Sequence, residues 1–357
     1  MRTVTGGQAI EAALYEEMKR DDKVYYMGED VGVFGGAITK LYKLYQNFPD
    51  RVIDTPLDEK GFTGVATGMA WMGLHPVVEY MYPDFLPLAM SHIAHGIGKQ
   101  YFLSNQKVPV PITIRSAQGI GSQCGAHHSE CVEGWLMAYN GIKVAVPTYP
   151  EDSYGLLKYS VRNPDPVIIL DCRTTVYTEQ AEIPDEENGD DGIIPFGVAK
   201  VRREGADVTI LAWHKLLRDS IQAAEDLEKQ GISCEVIDPR TLVPFDIDTL
   251  LESIKKTGHL VIAHEANIRG SASGEISAMV MERHPEYLKA PIERVGAPNC
   301  FIPVGTVEWQ MVPDKMDVIR AVKKTLGKEL LPEEKGGVEV DVIEELKKSR
   351  GGQDLDA

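Results

Sequence analysis

The feature that most constrains the fold of this 357-residue chain is a repeated alternation of short apolar segments with longer segments of helical periodicity. In the first half, the apolar segments predict strands at 23–27, 51–54, 75–80, 110–115, 143–147 and 166–171. Helical patterns accompany them at 3–20, 64–72, 81–100 and 151–162. Strands that alternate with helices predict a parallel sheet covered on both faces.

A second alternation follows an acidic segment rich in glycine and proline, TEQAEIPDEENGDDGIIP. We predict strands there at 208–213, 233–238, 259–264 and 292–295, and helices at 216–230, 247–256, 270–283 and 315–326. The fold class is therefore α/β, with two parallel-sheet domains. We expect domains at 1–177 and 196–327, an acidic linker at 178–195 and a charged tail at 328–357.

Composition limits what the chain can bind. A formal net charge of −17 argues against nucleic acid and anionic membranes, which need clustered Lys and Arg, and favours a basic protein partner. Five cysteines without CxxC spacing indicate neither a disulfide framework nor a zinc site, so we expect a reducing, cytoplasmic location. No run approaches the length of a membrane span, and the first residues lack the apolar core of a signal peptide.

One carboxylate, Glu59, stands at the mouth of a helix of small residues in DTPLDEKGFTGVATGMA, residues 54–70. Small side chains along one helical face would let a backbone or a flat ligand approach closely. The alternative is that Asp58 and Glu59 complement the helix macrodipole and that the glycines allow tight helix packing. From this segment alone we favour packing.

The usual phosphate-binding and nucleophile motifs of α/β proteins are missing. No GxGxxG opens a helix after a strand, and neither GxxxxGK[ST] nor GxSxG occurs. The predicted sheet therefore has the architecture of nucleotide-binding folds without their phosphate cradle.

Two histidine positions are candidates for chemistry. His127 and His128 lie in a glycine-rich loop after a predicted strand, where α/β sheets place ligand-facing residues. One could act as an acid, a base or a donor, and a surface or packing position is an equally good interpretation. A zinc site from adjacent histidines is disfavoured. His264 and Glu265 are either a functional tip or a strand terminus.

An aromatic cluster, Tyr80, Tyr82 and Phe85, lies in EYMYPDF. These rings could present a face on which a heteroaromatic ring stacks. The alternative is core packing, which we expect for at least two of the three.

Ordered segments carry a resemblance to a known family. They are GEDVG (28–32), RVIDTPLDEKGFTGVATGMA (51–70), PVVEYMYPDF (76–85), HHSE (127–130), GIKVAVPTYPEDSYGLL (141–157), DPVIIL (165–170), EVIDPRTLVPFD (235–246) and KKTGHLVIAHEA (255–266). From about Thr5 to Leu326 the chain resembles the β subunit of the thiamine diphosphate-dependent decarboxylating component of 2-oxo acid dehydrogenase complexes. Members act on pyruvate, branched-chain 2-oxo acids or acetoin.

The resemblance implies roles for particular residues. In this family the cofactor's own 4′-amino group becomes a base when a carboxylate hydrogen-bonds ring nitrogen N1′. Glu59 occupies that position, and Phe85 matches the aromatic that packs on the aminopyrimidine. Tyr82 is the second aromatic candidate, and Glu29 is assigned to the cofactor with them. His128 aligns with the active-site histidine that handles the substrate intermediate or the lipoyl group.

The resemblance also implies partners. In this family a separate α subunit holds the diphosphate and its Mg²⁺ through a GDG…N motif, and the nearest string here, NGDDG at 188–192, lies in the linker. We therefore expect an α2β2 heterotetramer that is inactive as β alone, decarboxylates a 2-oxo acid and passes the acyl group to a lipoyl acyltransferase core. The alternatives are an acetoin-cleaving or transketolase-like enzyme on the same cofactor, or a non-catalytic structural or regulatory subunit.

Several segments depart from the family pattern. Some members hold a structural K⁺ near RDxDPV, a segment that reads RNPDP at 162–166 here, with altered acid and amide positions. RSAQGIGSQCGAHHSE and CFIPVG (300–305) also differ from the common versions. These departures leave the 2-oxo acid unassigned.

Overall fold

The computed structural model describes residues 1–36, 39–185 and 191–335, which form two compact units. The first unit consists of Met1–Gln118, Val132–Val198 and Arg240–Phe245. The second consists of Gly119–Cys131, Ala199–Pro239 and the chain from Asp246 onward. Residues 186–190 of the predicted linker, and the predicted tail from 336 onward, lie outside the described residues.

Fourteen strands are numbered here along the described chain. They are β1 (Arg2–Thr5), β2 (Val24–Gly28), β3 (Val52–Asp54), β4 (His75–Tyr80), β5 (Thr113–Gln118), β6 (Lys143–Ala145), β7 (Val167–Cys172), β8 (Gln180–Ile183), β9 (Lys200–Arg203), β10 (Val208–Ala212), β11 (Cys234–Asp238), β12 (Thr241–Val243), β13 (Leu260–Asn267) and β14 (Glu293–Ala297).

The α-helices of the same residues are numbered in the same way. They are α1 (Gly6–Arg20), α2 (Tyr42–Asn47), α3 (Glu59–Trp71), α4 (Gln100–Leu103), α5 (Glu133–Met137), α6 (Pro150–Arg162), α7 (Thr175–Thr178), α8 (Lys215–Glu228), α9 (Ile247–Thr257), α10 (Ala272–Arg283) and α11 (Lys315–Thr325). None of the helices in the described ranges is long and apolar enough to cross a bilayer.

The first unit is built on a seven-stranded sheet in the order β12-β6-β7-β5-β4-β2-β3. Six strands run parallel, and β12 pairs antiparallel with β6 at one edge. Helices α1 and α6 contribute Ile10, Leu14 and Leu157 to the core of this unit. Because β5, β4, β2 and β3 are neighbours, their carboxyl ends lie side by side, which is where parallel sheets bind ligands.

The second unit has a five-stranded sheet in the order β14-β13-β10-β11-β9, parallel except for β9. All five residues of β10 are buried, as expected for a strand covered on both faces. Helix α9 is capped at its start by the side chain of Asp246, which accepts from the Thr249 N–H at 3.1 Å, and it ends at Gly258 in the left-handed conformation. Both units confirm the predicted α/β class.

The predicted helix at 81–100 is wrong in type. The structure has a 3₁₀-helix at Pro83–Ala89, a π-helix at His92–Ile97 and then the short α4. Proline cannot donate a backbone hydrogen bond, and Pro87 lies inside the first of these segments. A continuous α-helix is therefore interrupted there.

Helix α3 begins five residues before the predicted start at 64. Asp58 is its N-cap, and its side chain accepts from the Gly61 N–H at 3.0 Å. Glu59 is therefore the first helical residue rather than part of the loop that precedes the helix.

Candidate active site

Two carboxylates follow neighbouring strands of the first sheet. Glu29 comes directly after β2, and Glu59 begins α3, which follows β3. Each is only 7% exposed. Burial, followed by the negative charges of Glu59 and Asp30, raises the pKa of Glu29 to about 7. The two acids therefore form an electrostatically coupled pair in which Glu29 titrates near neutral pH.

Tyr80, at the end of β4, packs beside this pair. Its hydroxyl hydrogen-bonds Thr63 of α3, and its ring meets that of Phe62 at 5.4 Å in an edge-to-face arrangement. Burial raises the pKa of Tyr80; the Thr63 hydrogen bond opposes the shift, and the charges of Glu59 and Glu29 add to it. Tyr80 thus stays a neutral phenol between the carboxylates and the core.

The acid pair includes one carboxylate oxygen to which a ligand could donate a hydrogen bond. Oε1 of Glu29 is buried, and no hydrogen-bond partner for it occurs among the described residues. An unpaired buried carboxylate oxygen is costly, and a ring nitrogen or an amino group would satisfy it. These acids therefore fit the polar edge of a heteroaromatic cofactor such as an aminopyrimidine.

An aromatic pair lies beyond the end of β4. The ring centroids of Tyr82 and Phe85 lie 6.0 Å apart, and the two rings are nearly perpendicular. Both side chains are partly exposed. The Arg173 guanidinium lies 4.8 Å from the centroid of the Tyr82 ring. Of the three aromatics considered, only Tyr80 is buried, so the expectation that at least two belong to the core is wrong.

A buried ionic network lies beneath the same strand ends. Arg115 of β5 donates to Glu79 of β4 and, at 2.6 Å, to Asp171 of β7. The hydroxyl of Tyr26 of β2 donates at 2.6 Å to Oε2 of Glu79, the same oxygen that accepts from Arg115. The four neighbouring strands β7, β5, β4 and β2 are thereby cross-linked through side chains. The network fixes the strand ends from which Glu29 and Tyr82 project.

The predicted histidines belong to the second unit. His127 is exposed and His128 is half-buried. The backbone N–H of His128 donates to the Gly125 carbonyl at 3.1 Å, which closes a turn. The structure therefore distinguishes the two neighbours, because His128 is the one held by its surroundings.

His264 and Glu265 have different structural roles. His264 is fully buried, stacks on Trp213 at 5.1 Å and hydrogen-bonds Ser273 at 2.8 Å. Burial, with the nearby Arg294 charge, lowers its pKa to about 3, so it is a neutral core residue. Glu265 instead accepts from two backbone N–H groups, those of Ile120 and Lys215.

The first unit thus collects four of the predicted site residues at one sheet edge: Glu29, Glu59, Tyr82 and Phe85. Sequence reasoning missed Arg173, although it follows the carboxyl end of β7 and the same strand-end rule would have found it. Within the residues that the structure describes, no cluster of three or more His, Cys, Asp or Glu could hold a metal ion.

Comparison with known families defines the class of protein. Residues 2–178 match the transketolase pyrimidine-binding domain, and residues 197–318 match the transketolase C-terminal domain. A solved structure described as split gene transketolase, inactive beta4 tetramer, shares the fold, with a TM-score of 0.72 and 23% identity over 92% of this chain and 99% of that one. The chain is a transketolase-like α/β protein with a pyrimidine-binding domain and a transketolase C-terminal domain.

Curated relatives narrow the class. The chain is 40% identical to the pyruvate dehydrogenase E1 component subunit beta-2, mitochondrial, of Oryza sativa subsp. japonica, over 90% of this chain and 86% of that protein. It is 39% identical to the pyruvate dehydrogenase E1 component subunit beta of Staphylococcus epidermidis, over 91% and 99%, and 40% identical to that of Rickettsia bellii, over 90% and 98%. The chain belongs to the family of β subunits of the thiamine diphosphate-dependent component of 2-oxo acid dehydrogenase complexes.

Proposed function

We propose that this chain is the β subunit of a pyruvate dehydrogenase-type enzyme, which oxidatively decarboxylates a 2-oxo acid and reductively acylates a lipoyl domain. The observation that carries the proposal is the buried Glu29–Glu59 pair, with its unsatisfied oxygen, at the carboxyl ends of adjacent parallel strands. A non-catalytic subunit would not need two coupled acids in a position that costs stability.

Different residues of this chain would have different roles toward the cofactor ring. Glu59 would hydrogen-bond N1′ of the aminopyrimidine and hold a proton there, and Glu29 would adjust the charge of that carboxylate. Tyr82 and Phe85 would pack on the ring and exclude water. When bound, thiamine diphosphate supplies the nucleophilic carbon that adds to the 2-oxo group and accepts the electrons released with CO₂.

The rest of the site belongs to a partner. The sequence has no phosphate-binding loop, and the relatives are named as beta subunits. We therefore propose an α subunit that holds the diphosphate and Mg²⁺, within an α2β2 assembly. His128 would serve the substrate intermediate or the incoming lipoyl group as an acid, a base or a donor.

Pyruvate is the proposed substrate because the curated relatives described above carry that name. Branched-chain 2-oxo acids and acetoin are the competing substrates, and a panel of the three with the assembled enzyme separates them. The net charge of −17 suits docking to a basic segment of a lipoyl acyltransferase core. That attraction would weaken at high salt if charge contributes to it.

The test uses Glu59→Gln in the chain assembled with its α subunit. The amide keeps the size of the side chain and removes the carboxylate, so 2-oxo acid turnover should fall by about 10²- to 10⁴-fold while assembly is unchanged. Glu275→Gln is the matched control, because Glu275 is an exposed acid in the first turn of α10. Normal turnover by Glu59→Gln would contradict the catalytic proposal and favour a structural subunit.

A further inference from the structure

The loop that carries His128 is held by residues far from it in sequence. Gly119–Cys131 leaves β5 but is part of the second unit. At the base of the loop, Gln118 accepts from the Val132 N–H at 3.1 Å through its side chain, so the two ends of the loop stay together. Both ends of the loop are therefore fixed relative to each other.

Two buried carboxylates anchor the start of this loop. Oε1 of Glu265 accepts from the Ile120 N–H at 3.2 Å, and Oε1 of Glu308 accepts from the Gly121 N–H at 2.7 Å. The two acids are 2% and 0% exposed. Buried carboxylates are costly unless donors satisfy them, and charge-assisted hydrogen bonds to backbone N–H groups are among the stronger ones.

Glu265 also ties the loop to a helix. Its second oxygen, Oε2, accepts from the Lys215 N–H at 3.1 Å, at the first residue of α8. A negative charge is favourable at a helix N-terminus. One carboxylate thus joins the loop to α8, whereas the hydrogen bond accepted by Glu308 reaches the loop alone.

Packing continues the anchorage toward His128. Ile120 lies in a small apolar core of the second unit, formed with Ala297, Ile302, Met311 and Val312. Gly121, at φ +95°, would place a Cβ 3.3 Å from the Trp309 ring. Gly125, at φ +75°, lies against Val304, so neither glycine tolerates a side chain without strain.

The chain of contacts ends on the histidine. The Gly125 carbonyl accepts from the His128 N–H at 3.1 Å and from the Ser129 hydroxyl at 2.9 Å. Glu308 thus contacts Gly121, the backbone continues to Gly125 with packing against Trp309 and Val304 at its two ends, and Gly125 contacts His128. A shift of the loop at Gly121 would move the His128 backbone with it.

We propose that Glu265 and Glu308 are positioning residues for His128, which fix the backbone of its loop through the N–H groups of Ile120 and Gly121. The inference rests on the active-site role proposed for His128. Glu308 is the sharper test, because Glu265 also supports α8. Misplacing a reacting group by about 1 Å can cost about 100-fold in rate, so the contribution expected from each carboxylate is substantial.

The experiment is a double-mutant cycle in the chain assembled with its α subunit. Glu308→Ala should lower kcat about 10- to 100-fold, and Glu308→Gln, which keeps an acceptor oxygen, should restore most of it. The dissociation constant for thiamine diphosphate should not change. Glu235→Ala is the control, because Glu235 is also a buried acid of the second unit that accepts from a backbone N–H, that of Gly205, in another loop.

The cycle is completed with His128→Ala alone and combined with Glu308→Ala. If Glu308 acts through the histidine, its removal has no further effect on kcat once His128 is gone. An equal loss in both backgrounds would overturn the positioning role and leave the role of His128 intact. Full activity of His128→Ala would overturn both, with His127→Ala as its control at the exposed neighbour.

Amide hydrogen exchange gives a readout that does not depend on turnover. In Glu308→Ala the peptide spanning 119–128 should exchange faster, while peptides from β10 and β13 keep their protection. Unchanged exchange in that peptide would overturn the anchorage itself.

Discussion

Glu29 and Glu59, which follow adjacent parallel strands, share one buried environment, and the charge of Glu59 contributes to the raised pKa of Glu29. Like charges in a buried site push apart the pH values at which they ionise. Near neutral pH Glu29 can therefore carry a proton, which removes one negative charge from the buried site. A protonated acid beside Glu59 suits a site in which a carboxyl group hydrogen-bonds a ligand ring.

The coupling predicts a pH-dependent stability. The pKa of Glu29 is about 7 in the folded chain, against an ordinary value of 4.5. Between these values the folded chain keeps a proton that the unfolded chain has lost, so the free energy of unfolding falls as pH rises, by roughly 3 kcal/mol at most. Glu29→Gln removes this loss. Urea unfolding at about pH 5 and about pH 8 measures it.

The test compares the change in stability that each substitution causes at the two pH values. Glu29→Gln should be more stable than wild type at the higher pH and show a smaller gain or none at the lower one. Glu275→Gln, at an exposed site, should shift the unfolding midpoint equally at both. A gain for Glu29→Gln that is the same at both pH values would show that its ionisation does not contribute.

The buried network of Arg115 predicts a large loss of stability on truncation. Arg115→Met leaves Glu79 and Asp171 buried without their cation, which should cost about 3–5 kcal/mol of the free energy of unfolding. Lys324→Met is the control, because the Lys324–Glu293 pair is exposed on the lysine side and should contribute about 1 kcal/mol or less. Similar losses for the two variants would contradict a structural role for the network.

The stacking of Arg173 on Tyr82 predicts an effect on cofactor affinity. Arg173 is held in place by the Ala117 carbonyl, which accepts from Nε at 3.3 Å and from Nη2 at 3.1 Å. Arg173→Met should weaken thiamine diphosphate binding by the assembled enzyme by about 5- to 30-fold, the loss of a partly buried cation–π contact that orients the ring.

Tyr82→Phe is the matched variant, since it keeps the ring and the cation–π contact and removes only the hydroxyl. Its affinity should stay close to wild type, and Tyr82→Ala should reproduce the loss seen with Arg173→Met. Fluorescence titration with thiamine diphosphate and Mg²⁺ measures all three. Wild-type affinity in Arg173→Met would mean that the guanidinium does not position Tyr82.

Periodicity predicted the central elements well because their pattern reflects burial. Strand β4 has the predicted bounds, His75–Tyr80, and its apolar residues are buried in the sheet. The edge strands β9 and β12 were missed: KVRR and TLV are too short to show a pattern, and they pair antiparallel with distant segments. Local sequence cannot show which distant strand covers an edge.

The site residues were harder to predict from local sequence than the central strands and helices. Local sequence around Glu59 favours helix packing, and only the ordered family segments favour chemistry there. The coupling of Glu29 with Glu59 depends on β2 lying between β3 and β4, which is a property of the sheet order. The same holds for Glu308, whose partner Gly121 lies in a distant part of the sequence.

The segment at 162–166 leads to a prediction about monovalent cations. Nζ of Lys143 lies 3.1 Å from Oδ1 of Asn163 and 2.8 Å from Oδ2 of Asp165. Oδ1 of Asn163 also accepts from the Asp165 N–H at 3.0 Å. Two of the side-chain oxygens that this segment could offer to K⁺ thus already bind an ammonium group, which we propose takes the place of the ion in this chain.

The thermal unfolding midpoint should therefore be the same in KCl and in NaCl at equal ionic strength, because no K⁺ is gained on folding and mass action then contributes nothing. Lys143→Met removes the ammonium group from Oδ1 of Asn163 and Oδ2 of Asp165, so this variant should be less stable than wild type in either salt, and any dependence on K⁺ should appear there first. Lys324→Met, which removes the exposed lysine of the Lys324–Glu293 pair in the second unit, controls for loss of a positive charge. A wild-type midpoint that rises with K⁺ and not with Na⁺ would mean that the ion binds through other ligands and that Lys143 does not replace it.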